Sequence, residues 1–229
     1  MYKNYEDILS VKLVSYTQPA EDYQYLLSDV NSDALTNLIA YCARVSNPSN
    51  QDNTETSEKL LGYLIKNKHW SPFEMVNVCL EITSTRDIIR QILRHRSFSY
   101  QEFSQRYADP TKELEFCIRE LRLQDNKNRQ NSIETDDYNL ANVWEQMQVE
   151  VISLAKANYE YAISQGIAKE VARVILPEGN TVSRCYMNGT IRSVIHYIEV
   201  RDGNGTQKEH MLVARACAEA INKIFPYIK

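Results

Sequence analysis

Apolar residues recur at helical spacing in several stretches of this chain and fall at strand spacing in a few others. Residues 9–17 partly alternate and predict a strand. A helix over 33–45 follows, with Asp33 as its cap, and Asn47-Pro48-Ser49-Asn50 is a turn cluster. Thr54 or Thr56 opens another helix, whose apolar face is Leu60, Leu61, Leu64 and Ile65. Ser71-Pro72 interrupts the chain, and residues 75–83 read as a buried strand. Ser84 or Thr85 then caps a helix with Ile88, Ile89, Ile92 and Leu93 as its core face.

Farther on, 113–119 predicts a strand and the polar run 124–136 an exposed, mobile loop. A long helix over 138–164 carries Val143, Met147, Val151, Leu154 and Ala155 on one side, and Gly166 stops it. Residues 169–176 form a short helix that Pro177 ends, and 181–187 read as a strand. Helices over 190–201 and 208–224 follow, separated by Asp202-Gly203-Asn204-Gly205. The elements do not alternate as in a dinucleotide-binding fold, and no Gly-x-Gly-x-x-Gly occurs. The pattern predicts one helix-rich α+β domain over 1–229, with non-consecutive strands in a single sheet.

Bulk properties narrow the class. The 229 residues are enough for a sizeable core, with 43% hydrophobic and 24% charged positions. The formal net charge of -4 disfavours non-specific nucleic-acid binding. The N-terminal residues are polar, with no signal-peptide pattern, and no apolar run approaches the ~20 residues that a membrane span needs. The five cysteines form no Cys-x-x-Cys pair, and the four histidines have no metal-site spacing. A cytoplasmic protein without a metal, a membrane or a nucleic-acid partner is expected.

Against this acidic background, residues 94–106 (Arg-His-Arg-Ser-Phe-Ser-Tyr-Gln-Glu-Phe-Ser-Gln-Arg) concentrate anion-binding groups. Arginine forks suit phosphate, and serine hydroxyls and free N–H groups can complete such a cradle. Glu102 would gain nothing in a polyanion patch, but it can accept from a ribose hydroxyl or a ring N–H. The bland alternative is a solvated basic turn after a helix.

Arg94-His95-Arg96, then Ser99, Ser104 and Arg106, resembles the signature of the flavin-dependent thymidylate synthases, the ThyX family. Four further stretches resemble family segments: Ala43-Arg44-Val45-Ser46, His69-Trp70-Ser71-Pro72-Phe73-Glu74, Ala172-Arg173-Val174-Ile175-Leu176-Pro177, and Thr190 to Arg201. The likeness runs from about Ala43 to His210. It implies a mainly antiparallel central sheet flanked by helices. It also implies a methyltransferase that makes dTMP from dUMP, with FAD as cofactor and with NADPH and 5,10-methylenetetrahydrofolate as co-substrates. A homotetramer with active sites shared between subunits is implied as well, with the 138–164 helix as a candidate interface.

The same resemblance implies roles residue by residue. Gln91, Arg94, Glu102, Phe103, Ser104, Gln105, Arg106, Arg173 and Arg201 would surround dUMP, with Arg201 acting on the pyrimidine. Ser71, Arg94, His95, Arg96, Glu102, Thr190, Ile191, Arg192 and His196 would hold FAD. The chain departs from common family residues at Gln105, Thr190, His196 and Ala214, and His210 receives no role. Two other readings use the same arginines: a nucleotide- or RNA-binding module with Phe98, Tyr100, Phe103 and Tyr107 stacking on bases, and a family relative that methylates another pyrimidine.

Overall fold

Stretches far apart in sequence meet in one four-stranded sheet. The computed structural model describes residues 2–27, 34–203 and 205–227. In chain order these contain β1 (Lys3–Asn4), α1 (Tyr5–Ile8), β2 (Ser10–Tyr16), α2 (Ala34–Ala43), α3 (Ser57–Lys66), β3 (Asn77–Thr85), α4 (Arg86–Ile92), β4 (Ser99–Glu102), α5 (Pro110–Glu113), β5 (Cys117–Ile118), β6 (Arg122–Gln124), β7 (Ser132–Glu134), α6 (Tyr138–Ser164), α7 (Lys169–Ala172), β8 (Val182–Thr190), α8 (Ile191–Arg201) and α9 (Lys208–Asn222). The sheet order is β2-β3-β8-β4, and every pairing in it is antiparallel.

Alternation decides which face of the sheet is covered. Val78, Leu80 and Ile82 of β3 and Cys185 and Met187 of β8 point into the main core. Apolar residues of α2, α3, α4, α8 and α9 close over them, among them Ile39, Leu61, Ile89, Tyr197 and Val213. On the other face, Tyr186 donates to Glu81 at 2.9 Å and Lys12 pairs with the same carboxylate at 3.6 Å. A second, smaller core lies under α6, where Phe116, Ile118, Ile152, Tyr159, Ala172 and Leu176 meet.

Several local expectations change. The polar 124–136 run is not a plain loop: β6 and β7 pair antiparallel across it, and Asp125 Oδ1 accepts from the N–H groups of Lys127 and Asn128. The 113–119 strand shrinks to two residues, paired in parallel with β1. Thr56 and Thr85 stand at N-cap positions without capping: Thr56 accepts from Arg44 Nη2, and Thr85 is bonded to Asp87 and Arg119. Asp33 and its expected cap lie outside the described residues.

α6 has the predicted bounds, but of the expected face only Ala155 is buried. Asp137 caps it by accepting from Leu140 N, and Gly166 ends it at φ 77°, a conformation that glycine adopts freely. Gln148, Ile152, Ala155 and Tyr159 face inward. Val143, Met147, Val151 and Leu154, about one residue and hence about 100° around the helix, face out, and Leu154 is 65% exposed. Both stripes are apolar, so periodicity alone did not identify the one packed within the chain.

Candidate active site

The Arg94-His95-Arg96 turn is set by what precedes and follows it. α4 ends at Ile92, after which Arg94 N donates to the Gln91 carbonyl and His95 N to that of Ile92. Tyr100 in β4 places its hydroxyl 2.9 Å from the Ile92 carbonyl and 3.0 Å from that of His95, pinning the turn from the sheet side. Phe98 lies against β8 at Gly189, where an added Cβ would stand 2.4 Å from the ring. The expected irregular run after the helix is thus broken by β4, an edge strand paired with β8 from Ser99 to Glu102. Arg94 and Arg96 are exposed, His95 is half-buried, and the turn borders an open cavity of about 690 Å³.

α8 brings Arg201 to this turn. Its Nε–H donates to His95 Nε2 at 2.8 Å, so the His95 ring accepts there and carries its proton on Nδ1. Burial, then the Arg201 guanidinium, His196 and Arg94, hold the His95 pKa down at about 4. The ring is therefore neutral at pH 7 and available as an acceptor. Tyr197 stands edge-on to it at 4.9 Å between centroids. Behind Tyr197 lies His210, fully buried and bonded to Gln91 at 3.2 Å. Sequence reading left His210 without a role. Its signal was the polar run Gln207-Lys208-Glu209-His210, which opens α9 and places two polar residues, Glu209 and His210, on that helix's buried face.

On the other side of α8, Trp70, Glu74, Ser97, Arg192, Ser193 and His196 line a cavity of about 380 Å³. Arg192 is paired with Glu74, and both are well exposed. Ser71 is exposed at the start of the 3-10 turn Ser71–Glu74, whose Phe73 anchors it in the core. Thr190 Oγ1 caps α8 by accepting from Ser193 N at 3.2 Å. Ile191 is fully buried and its N–H goes to the Val76 carbonyl, so its side chain and amide are both used by the fold.

The second half of the motif forms another group. Glu102 Oε1 accepts from Ser183 at 3.2 Å and from Arg86 at 3.4 Å. Phe103 N donates to the Arg184 carbonyl, which ties the chain to β8 just past β4. Ser104 Oγ accepts from Arg106 N, its carbonyl accepts from Tyr107 and Ala108, and Gln105 is buried in this turn. Arg106 pairs with Glu170 at 3.2 Å, and Arg173 Nε donates to the Glu170 carbonyl at 3.4 Å. Arg173 is half-buried. These residues form two groups: Gln91, Arg94, His95 and Arg96 at and just past the end of α4 with Arg192, His196 and Arg201 of α8, and Glu102 and Phe103 tied to β8 with Ser104, Gln105, Arg106 and Arg173, of which the two arginines reach Glu170 of α7. Among the described residues, no hydrogen bond or ion pair joins one group to the other.

No thiol is poised for attack. Cys117, Cys185 and Cys217 are buried, Cys42 and Cys79 half-buried, and all five are free. Burial raises every one of their pKa values, to about 12 for Cys117 and Cys185. Among the described residues, no group of three His, Cys, Asp or Glu side chains is placed to hold a metal ion.

The family model described as "Thymidylate synthase complementing protein" matches residues 12–227. The chain is 46% identical to a probable flavin-dependent thymidylate synthase of Paramecium bursaria Chlorella virus 1, over 96% of this chain and 97% of that one. It is 47% identical to the flavin-dependent thymidylate synthase of Synechocystis sp., with the same coverage. This chain belongs to the flavin-dependent thymidylate synthase family. A solved UMP/dUMP methylase of Streptomyces cacaoi, bound with 5-Br dUMP, has the same fold as this family member. The two superpose with a TM-score of 0.73 at 22% identity, over 94% of this chain and 91% of that one. The family signature begins at the α4 terminus and runs along the edge strand β4, so its two ends lie in the two residue groups described above.

Proposed function

We propose that this chain is a flavin-dependent thymidylate synthase that converts dUMP to dTMP. The observation that carries this reading is the Arg201–His95 pair at the Arg-His-Arg turn, in a chain 46% identical to a named family member. The methylene group of 5,10-methylenetetrahydrofolate is joined to C5 of the uracil ring, and C5 loses its hydrogen as a proton. When bound, FAD reduced by NADPH would supply the hydride that completes the methyl group, leaving tetrahydrofolate and NADP⁺.

The chain's own residues bind, orient and polarise. Arg201 presents the free side of its guanidinium to the N3/O2 edge of the pyrimidine and stabilises the negative charge that develops there. His95, neutral, fixes the fork through Nε. Gln91 and Arg94 contact the nucleotide from the end of α4. Ser104, Arg106 and Arg173 hold the phosphate, partly through backbone N–H groups, and Glu102 accepts from the ribose or the ring. The donor set beside α8 fits a flavin dinucleotide: Arg94, Arg96 and Arg192 offer cations for its phosphates, and Ser71, Thr190 and His196 offer polar groups beside an open cavity. Glu74 holds Arg192 until an anion competes for it.

The two residue groups suggest how the site closes. Each half lies open on one chain, and the outward stripe of α6 is exposed among the described residues. Both features support a homotetramer in which one subunit's Ser104–Arg106 half faces another's Arg201 half. The chain acts as one domain, and its five free thiols fit the reducing cytoplasm. Omission assays test the whole reading: dTMP must form with FAD, NADPH, methylenetetrahydrofolate and dUMP together, and must disappear when any one is left out. UMP is the control for a changed pyrimidine nucleotide, and conversion of UMP in place of dUMP would replace the substrate assignment.

A further inference from the structure

Behind Gln91 runs a series of hydrogen bonds, anchored on the buried Glu209 and His210, to which the reaction scheme above gives no part. It starts at Glu209, which is 2% exposed. Burial would raise the pKa of this carboxyl, but Arg119 and Arg122 outweigh that and hold it low, so it is an anion and can only accept. Glu209 Oε1 takes Arg122 Nη2–H at 2.6 Å, and Oε2 takes Gln207 Nε2–H at 2.9 Å. With its nitrogen committed, Gln207 turns Oε1 toward Gln91 and accepts from Gln91 Nε2 at 2.8 Å. Gln91 in turn presents Oε1 to His210 Nδ1 at 3.2 Å. An amide oxygen cannot donate, so His210 bears its proton on Nδ1 and accepts at Nε2 from the Tyr197 hydroxyl, 3.1 Å away.

Each member therefore has one allowed orientation. Turning Gln91 over would set its oxygen against that of Gln207, and turning Gln207 as well would set an amide oxygen against the Glu209 carboxylate. His210 closes the series from the other end. It is 0% exposed, so no water can stand in for its Nδ1–H.

We propose that His210, fixed between Tyr197 and the Gln207–Glu209 pair, is a positioning residue that sets which end of the Gln91 amide faces the nucleotide. The second N–H of Gln91 and the second lone pair of its Oε1 are then held in fixed places for the substrate. This rests on the reading of Gln91 as a nucleotide contact.

The test is the dUMP affinity of the FAD-loaded protein and its KM and kcat. His210→Leu keeps the volume and removes the ring donor. It raises the Kd and KM for dUMP about tenfold, in proportion to one misdirected neutral hydrogen bond, while kcat at saturating dUMP and flavin content hold. His210→Asn, whose amide N–H can take the place of Nδ1–H, recovers most of the loss. In a Gln91→Ala background, His210→Leu has no further effect. Penalties that add in the double variant, or an Asn variant as weak as the Leu one, would overturn the inference. Should His210→Leu not fold, Gln207→Leu, on the other side of Gln91, gives the same rise in KM, and an unchanged KM overturns the proposal. If the parent protein binds no dUMP, the functional reading fails by itself. The ring nitrogen resonances of His210 then still decide the series: a proton on Nδ1 supports it, and one on Nε2 overturns it.

Discussion

Arg201 and His95 carry the most specific expectation at the scale of single residues. A lysine at 201 would keep the charge and lose the Nε–H that His95 accepts. Arg201→Lys is expected to lower kcat by a factor on the order of 10² to 10³, the range for loss of one pre-positioned charge-stabilising donor. Its flavin content, read from the absorbance of the purified protein, stays at the parent level. The cysteines give the opposite expectation. Cys42→Ala leaves dTMP formation within about twofold, since a flavin mechanism asks nothing of a thiol; complete loss of activity in a folded, flavin-loaded variant would contradict it. Acid stability follows from the two histidines, whose folded pKa values are about 4 for His95 and about 3 for His210. Both lie below the unfolded value of about 6.5, so between these limits the unfolded chain binds more protons and stability rises with pH. Thermal melts should show a Tm that climbs from pH 4 to pH 7 and then levels. In His210→Leu that slope becomes shallower, and a slope unchanged from the parent would remove His210 as its source.

Elements decide how these side chains are held, and here glycine and aromatic residues matter more than the arginines. Gly189 is the point in β8 on which the Phe98 ring rests. Gly189→Ala forces the ring away and is expected to cost about 1–3 kcal/mol, the range for overpacking a tight site. Because Phe98 follows the Arg-His-Arg turn, the same change should weaken flavin binding, which titration of the apoprotein would reveal. Much at this scale was legible beforehand. The α6 bounds, the α8 bounds to within one residue and the strand preceding α4 follow from periodicity, the Gly166 stop and β-branched runs. What was not legible has physical causes. α6 is apolar on two stripes, and the inward one is chosen by Gln148, which bonds both the N–H and the carbonyl of Arg119, a contact no local pattern encodes. The 124–136 run looked like a loop because its strands are three residues each and lack an apolar alternation. His210 was passed over because Ala214 stands where the family pattern has an acidic residue, whereas the partners that hold His210, Gln91 and Tyr197, are brought to it only by tertiary packing. The family signature named Arg201 and His95 without their pairing, and Arg192 without its contact to Glu74, because only the fold brings these partners together.

At the scale of the whole molecule, the proposed shared site needs more than one copy of the chain. Val151→Asp combined with Leu154→Asp places charge on a stripe whose side chains are more than half exposed, so the fold and its Tm should survive while association fails. Light scattering should then report a smaller species, and dTMP formation should fall at least tenfold with it, on the order set by losing half of the phosphate and pyrimidine contacts. A monomer with full activity would overturn the shared site. The central claim is that the chain replaces the C5 hydrogen of dUMP using a flavin and no thiol. Tritium release from C5-labelled dUMP, with methylenetetrahydrofolate and NADPH and with or without added FAD, tests it most directly. The account predicts release that depends on FAD and is matched by dTMP. Release that proceeds equally in flavin-free protein, or flavin-loaded protein that yields neither tritium nor dTMP, would contradict it.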